Sequence, residues 1–420
     1  MPADPAAPPV TAEDDPGGST ARRLVGVVAL AALMPLLYLI VNPHNFFDLR
    51  IYMSAMRWWA EGNPLYDYAQ ADRVQGELYF TYPPLTALLL RPFADLPLGL
   101  TIAIFTILTV VAVVVTTKWL LAPVADRHDV SRWLVVGLAV PLVFAVESTR
   151  ETITFGQINM LLVVLILADL LFAVPRGSRW AGVGIGLATA LKLFPGIFIV
   201  YLLACRRWRA AVAASATAAV ATLLAGAVAP GDSWRFWTHE LWATDRVGRT
   251  DYTGNQSLFG LLSRFSTPDK PHQLLWLALV AIIAGYGLWR AARAAREGDE
   301  LAGLTLTGLV GALASPISWT HHVYWFIPAV VVLADAGLGT PSTGLNGRGQ
   351  GRRKPLLALA IGVYVCVVYG VVSFYDWGVA TERTNSPIEF LLRNVYVLLA
   401  VLLLVVLPTR RPVTTVPTTR

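Results

Sequence analysis

Residues 182–208 read "GVGIGLATALKLFPGIFIVYLLACRRW". Taken whole, this is an apolar run long enough to cross a bilayer as one helix. Two residues argue otherwise. Lys192 places a charge in the middle of the run. Pro195 removes a backbone donor and disfavours helix at the residue before it. The stretch therefore predicts two short helices, 180–191 and 195–205, that meet at Lys192. With that split the chain holds about twelve apolar crossings: 24–41, 98–120, 133–146, 158–174, 180–191, 195–205, 210–229, 273–292, 301–314, 322–336, 356–374 and 389–407.

Basic loops test the count. "PRGSR" (175–179), "CRRWR" (205–209), "RGQGRRK" (348–354) and the tail after "LPTRR" (407–411) carry arginine or lysine without acid. An even number of crossings puts all four on the side of Arg22 and Arg23. Merging the two short helices would separate "PRGSR" from "CRRWR". The opposite side then collects "FFDLRIY" (46–52), "FTYPP" (80–84), "RETITFGQIN" (150–159), Lys192, the 230–272 segment with "GNQS", "SPISWTHH" (315–322) and "YDWGVATER" (375–383). Nearly every polar group able to do chemistry lies there, so the function is expected at the outer membrane face.

Composition agrees. Of 420 residues, 55% are hydrophobic and 14% charged, and the mean hydropathy is +0.57. Soluble domains carry about a quarter charged residues. The net charge of +6 is concentrated in loops and reads as topology, not as a nucleic-acid-binding stripe. The two cysteines, Cys205 and Cys366, form no CxxC or Cys/His pattern, so no disulfide framework and no metal site is expected. Residues 1–20 are rich in proline, alanine and acids and are expected to be a disordered cytosolic tail. Residues 21–408 form the membrane domain and 409–420 a second cytosolic tail.

The chemistry-bearing residues each admit a plainer reading. In "HNFFDLRIYMSAMRWWAEG", Leu49, Tyr52, Met56 and Trp59 share one face of an interfacial amphipathic helix. Asp48 stands where an N-cap belongs. It is also flanked by Phe46, Phe47 and Leu49, an apolar setting that raises a carboxylate's proton affinity and suits a general base. Tyr82 lies in a stiff Tyr-Pro-Pro turn and is a candidate to face a substrate ring. Gly156 permits a tight turn, after which Gln157 and Asn159 offer amides suited to sugar hydroxyls. Asn159 also reads as a local helix cap. Lys192 is a functional-site candidate or a snorkelling lysine, whereas Asp169 is expected to be structural. His321 and His322 point about 100° apart on a helix, which is not metal-pair spacing but suits phosphate binding. The plainer reading of that pair is interfacial packing beside Trp319 and Trp325. Asn255 and Gln256 belong to a loop of mixed aromatic and polar residues, a weak signal on its own.

In chain order, "FFDLRIYMSAMRWWAEGNPLY", "FTYPPLTALLL", "RETITFGQINMLLVVLILAD", "ALKLFPGIF", "NQSLFGLLSR" and "SPISWTHHVYW" resemble the actinobacterial polyprenol-phosphate-mannose-dependent α-(1→2)-mannosyltransferases of glycosyltransferase family 87. The resemblance spans about residues 24–405. Within the family it points to the phosphatidylinositol mannoside enzymes, the one adding the fifth mannose among them. It implies an all-α, polytopic bundle of the GT-C type with a periplasmic active site, a polyprenyl-phosphate-mannose donor and a phosphatidylinositol mannoside acceptor. It implies that the aspartate of the first outer loop, here Asp48, is catalytic. A β-linked donor and an α-linked product imply inversion. The candidates to meet the leaving phosphate are His322, Lys192, His321 and Arg150. The candidates for sugar and acceptor binding are Gln157, Asn159, Tyr82, Trp319, Asn255 and Gln256. No metal or other cofactor is expected, because protein cations can serve the phosphate. Two alternatives stay open: a related enzyme acting on lipomannan or arabinan, and a lipid or sugar transporter. A transporter would concentrate its polar groups near the midplane between internal repeats, and no repeat is visible.

Overall fold

The computed structural model describes residues 44–72, 76–339, 353–374 and 383–410. The 1–20 tail, the 24–41 run, most of the 409–420 tail and nearly all of "YDWGVATER" lie outside the described residues. The elements in order are α1 (Phe47–Ala60), β1 (Ala69–Asp72), β2 (Gly76–Tyr79), α2 (Pro84–Leu90), α3 (Leu98–Arg127), α4 (Arg132–Ala145), α5 (Glu147–Phe155), α6 (Asn159–Ala168), α7 (Val183–Leu191), α8 (Ile197–Ala204), α9 (Trp208–Val228), α10 (Pro230–Thr238), α11 (Leu258–Ser266), α12 (Gln273–Arg296), α13 (Glu300–Ala314), α14 (Phe326–Leu338), α15 (Lys354–Tyr369), α16 (Pro387–Arg393) and α17 (Val395–Val406). β1 and β2 form an antiparallel hairpin pairing Ala69 with Tyr79 and Asp72 with Gly76.

The split at Lys192 is present. α7 stops at Leu191, Lys192 is extended, and a single turn over Phe194–Gly196 leads into α8. Asp169 is structural, as its position suggests. Its carboxylate accepts the backbone N–H of Ile185 at 2.8 Å, in the first turn of α7.

Helices α3, α9 and α12 are each long and apolar enough to cross a membrane. The pairs α4–α5 and α16–α17 bend by 66° and 74°, giving up to five spans among the described residues if each pair is one. The other apolar runs are realised as shorter helices. α13, for example, is buried along its whole length from Ala302 to Leu313. An apolar run marks either a lipid-facing or a core helix, and hydropathy does not separate them. That is why the number of crossings read from runs exceeds the number of full-length spans.

The long apolar helices bury small and polar residues and expose many large aliphatic ones. On α3 the buried face carries Thr101, Thr109, Thr116 and Thr117, while Ile107 and Val111 face outward. On α9 the buried residues are alanines, and Leu223 and Leu224 face outward. Lipid is as apolar as leucine, so helices associate there through close contact of small residues. Gly186 of α7 shows how close: a Cβ at that position would lie 2.4 Å from the Ala214 carbonyl oxygen of α9.

One network of ion pairs ties an end of the bundle. Arg207 binds Glu300, Arg410 binds Asp299 and Asp335, and Arg127 and His128 also bind Asp335. Arg353 joins them by a backbone bond to Gly337 at 2.8 Å. The basic loops around 206, 353 and 410 therefore share one end, as their sequence parity requires.

Replacing Gly186 by valine should force α7 from α9 and cost about 1–3 kcal/mol, the usual range for overpacking. Gly99→Ala, where a Cβ meets nothing within 4 Å, is the control. Thermal unfolding in detergent should show a lower midpoint for Gly186→Val only.

Candidate active site

The opposite end of the bundle encloses a cavity of about 570 Å³. It is lined from α1, the strand leading out of β2, the α5–α6 junction, the α7–α8 break, the loops after α10 and the segment 315–322. These are the segments that the sequence had grouped on one side.

Asp48 reaches the cavity from the first turn of α1. The helix begins two residues earlier than a capping role requires. The N-cap position is held by Phe46 in a left-handed conformation (φ 54°), and no side chain caps the helix. Asp48 is thus not an N-cap. Its direction is set instead by the α5–α6 junction. The Phe46 backbone N–H bonds the Thr154 carbonyl at 2.7 Å. Gly156 adopts φ +73°, and a Cβ there would sit 2.5 Å from the Leu49 Cβ, so only glycine lets the junction approach α1 this closely. The next residue, Gln157, meets Asp48.

Three side chains form a closed hydrogen-bond circuit, to which Asp48 is attached. Gln157 Nε2 donates to Asp48 Oδ2 and, at 3.0 Å, to the Tyr52 hydroxyl. Tyr52 donates to the Tyr82 hydroxyl at 3.1 Å, and Tyr82 donates to Gln157 Oε1 at 2.6 Å. The two hydroxyl protons are thereby committed, and the amide can point its nitrogen only at Asp48. Asp48 lines the cavity, and its Oδ1 makes no hydrogen bond among the described residues. Burial pushes the Asp48 carboxyl up to about 6, although the Gln157 amide and the Lys192 charge both draw it down. It is ionised but comparatively basic at pH 7, which is what a general base needs.

Lys192 Nζ donates to the Tyr82 hydroxyl at 3.2 Å and to Asn159 Oδ1 at 2.9 Å, and it lies 2.9 Å from His322 Nε2. The Trp319 backbone N–H donates to His322 Nδ1 at 3.2 Å. A neutral ring then carries its proton on Nε2 and aims it at Lys192. Burial, with Lys192 beside it, holds His322 well below the usual imidazole range. The Lys192 amine and the imidazole N–H thus compete for one line, and an anionic oxygen between them would accept from both.

The remaining expected site residues are distributed unevenly. Tyr82, Trp319 and His321 line the cavity. His321 is buried, packs edge-on against His322 with ring centroids 4.5 Å apart, and has no hydrogen-bond partner for either ring nitrogen among the described residues. Asn159 is absent from the wall and acts from behind it, holding Lys192 and, at 3.0 Å, the His321 carbonyl. The structure does not bring Arg150, Asn255 or Gln256 to the cavity. Arg150 is buried and binds the Ala145 and Val368 carbonyls. Asn255 bonds the Pro316 carbonyl and the Ser318 N–H, at 3.1 and 2.9 Å. Gln256 bonds the Arg393 carbonyl and the Tyr396 N–H, at 2.8 and 3.1 Å. Both amides staple loops rather than face a ligand. Tyr52 was read from the sequence as an apolar-face residue. Its spacing of i+4 from Asp48 was the available signal, since such residues share a helix face.

Gln157→Leu removes the hydrogen bond that stabilises ionised Asp48. The carboxyl should then titrate at a higher pH than in the parent, and the acid limb of a pH–activity profile should move up with it.

The profile of Glycosyltransferase family 87 matches residues 80–316. A polyprenol-phosphate-mannose-dependent alpha-(1-2)-phosphatidylinositol mannoside mannosyltransferase of Mycobacterium tuberculosis is 36% identical over 304 residues, 69% of this chain and 70% of the relative. A polyprenol-phosphate-mannose-dependent alpha-(1-2)-phosphatidylinositol pentamannoside mannosyltransferase of Mycolicibacterium smegmatis is 34% identical over 317 residues, 73% and 74% of the two chains. An alpha-(1->3)-arabinofuranosyltransferase of Mycobacterium tuberculosis is 31% identical over 261 residues, 60% and 55% of the two chains. No solved structure matches the chain. With a match over more than half its length and relatives above 30% identity across two thirds of theirs, the chain belongs to glycosyltransferase family 87.

Proposed function

We propose that this membrane glycosyltransferase moves mannose from polyprenyl-phosphate-mannose to the 2-hydroxyl of a terminal mannose on a phosphatidylinositol mannoside, forming an α-(1→2) linkage. The reaction is a single displacement with inversion at the periplasmic face of the plasma membrane, with both termini cytosolic. The observation that carries the reading is the pairing, in one cavity, of a carboxylate with an open oxygen and an ammonium–imidazole pair short of an acceptor. The mannosyltransferase relatives supply the donor and acceptor classes.

In this mechanism Asp48 Oδ1 takes the proton of the acceptor hydroxyl as its oxygen bonds to the donor's anomeric carbon. The bond from that carbon to the phosphate oxygen breaks, and polyprenyl phosphate leaves with the electron pair. Lys192 and His322 meet the charge that grows on the phosphate, so their contribution is larger in the transition state than in the ground state. Tyr82, Gln157 and Trp319 border the sugar. No metal takes part in this scheme.

Purified protein, incubated with mannosyl-phosphopolyprenol and a phosphatidylinositol mannoside, should release polyprenyl phosphate and yield a longer glycolipid. A chelator should leave the rate unchanged. Movement of lipid without new glycolipid would mean a transporter instead. Turnover with an arabinofuranosyl donor alone would favour the arabinosyltransferase reading, to which the lower-identity relative lends some weight. Asp48→Asn keeps the side chain's size but removes the base, and should lower kcat by about 100- to 10,000-fold. The parent's rate should fall as pH drops through about 6, where Asp48 becomes protonated. Full activity in a folded Asp48→Asn protein would sink the base assignment.

A further inference from the structure

The cavity has a second polar wall that the mechanism above leaves unused. Arg246 stands on a single helical turn, Thr244–Val247, beside β2. Its guanidinium carbon lies 4.0 Å from the centre of the Tyr79 ring. Its Nη2 donates to the Tyr66 carbonyl at 2.6 Å, and its Nε lies 2.7 Å from Glu240 Oε2, an ion pair without the alignment of a hydrogen bond. Arg235 donates to the other Glu240 oxygen at 2.6 Å. Tyr79, Glu240, Arg246 and Asp72 all line the cavity that holds Asp48.

The charges on this wall differ from those at Lys192. Glu240 is buried and shared by two arginines, and Asp72 adds a further carboxylate. Arg235 has a second carboxylate in Asp67, so two carboxylates answer the two guanidiniums. A phosphate would be drawn to Lys192 and His322, where no carboxylate lies within ion-pair distance of the lysine nitrogen among the described residues. A compensated guanidinium stacked on an aromatic ring suits a neutral polyol. It donates to hydroxyls, the carboxylates accept from them, and the ring offers an apolar face. Tyr79 is three residues from Tyr82, so the wall lies within about 11 Å of backbone reach of the reaction centre. That is on the order of one or two sugar rings.

We infer that Arg246, stacked on Tyr79 and paired with Glu240, forms a subsite for a neutral sugar of the acceptor other than the one that is mannosylated. The subsite reads the length of the acceptor's head group. This rests on the mannosyltransfer reading above.

The test uses the purified full chain, the mannosyl-phosphopolyprenol donor, and two lipid acceptors bearing one mannose or an oligomannoside. Tyr79→Leu removes the platform. Arg246→Lys keeps the charge but not the planar stack. In each variant the preference for the long over the short acceptor, as a ratio of kcat/KM values, should fall about tenfold. The loss should appear as a raised KM for the long acceptor, with the donor's KM unmoved. An unchanged ratio, an equal loss on both acceptors, or a raised donor KM overturns the subsite while leaving mannosyltransfer standing. A parent that extends neither acceptor overturns both.

Discussion

The hydrogen-bond circuit around Gln157 is the constraint on which the site depends. One amide is held by two tyrosine hydroxyls so that its nitrogen faces Asp48. Each donor in the circuit already has its acceptor, so no local rotation offers an alternative without leaving a buried polar group unpaired. The circuit leaves one carboxylate oxygen open to the cavity and hands the far side of Tyr82 to Lys192. Asp48 and Lys192 are thereby fixed relative to each other through a chain of four side chains drawn from α1, the segment after β2, the α5–α6 junction and the α7–α8 break.

That convergence relies on breaks in the helices. Lys192 reaches the cavity because Pro195 prevents α7 and α8 from being continuous. Gln157 reaches it because Gly156 turns the chain at a place where a side chain would strike Leu49. In a bilayer, irregular backbone at such places is tolerated only where it is buried in protein or lines a cavity. The long apolar helices provide the surrounding frame, with threonines and alanines among the residues turned inward and many large aliphatic residues exposed. The charged ends at the far side of the bundle, tied by Asp299, Glu300 and Asp335, hold that frame from the other end.

The cavity also has two electrostatic characters. Near Lys192 and His322 it is short of acceptors and fits an anion. Near Arg246 and Glu240 it is compensated and fits uncharged hydroxyls. On the proposed reading, the lipid-phosphate sugar donor would meet the first wall and the glycolipid acceptor the second.

Much of this was legible in the chain itself. Hydropathy and the basic loops determined a helical membrane protein with its polar segments gathered at one end. Pro195 and Lys192 marked the broken helix, and Asp48, Gln157, Lys192 and His322 stood out because their residue types are costly near a membrane without partners. Only the tertiary structure decided which apolar runs span and which are core, since both are equally apolar. It also showed that Asp48 is held by an amide and is not a cap. It turned Arg150, Asn255 and Gln256 into loop staples and brought Tyr52, Tyr79 and Arg246 to the cavity. The physical reason is the same in each case. A sequence fixes which groups need hydrogen-bond partners, but a partner 100 or more residues away is chosen by packing, as with Gln157 and Asp48.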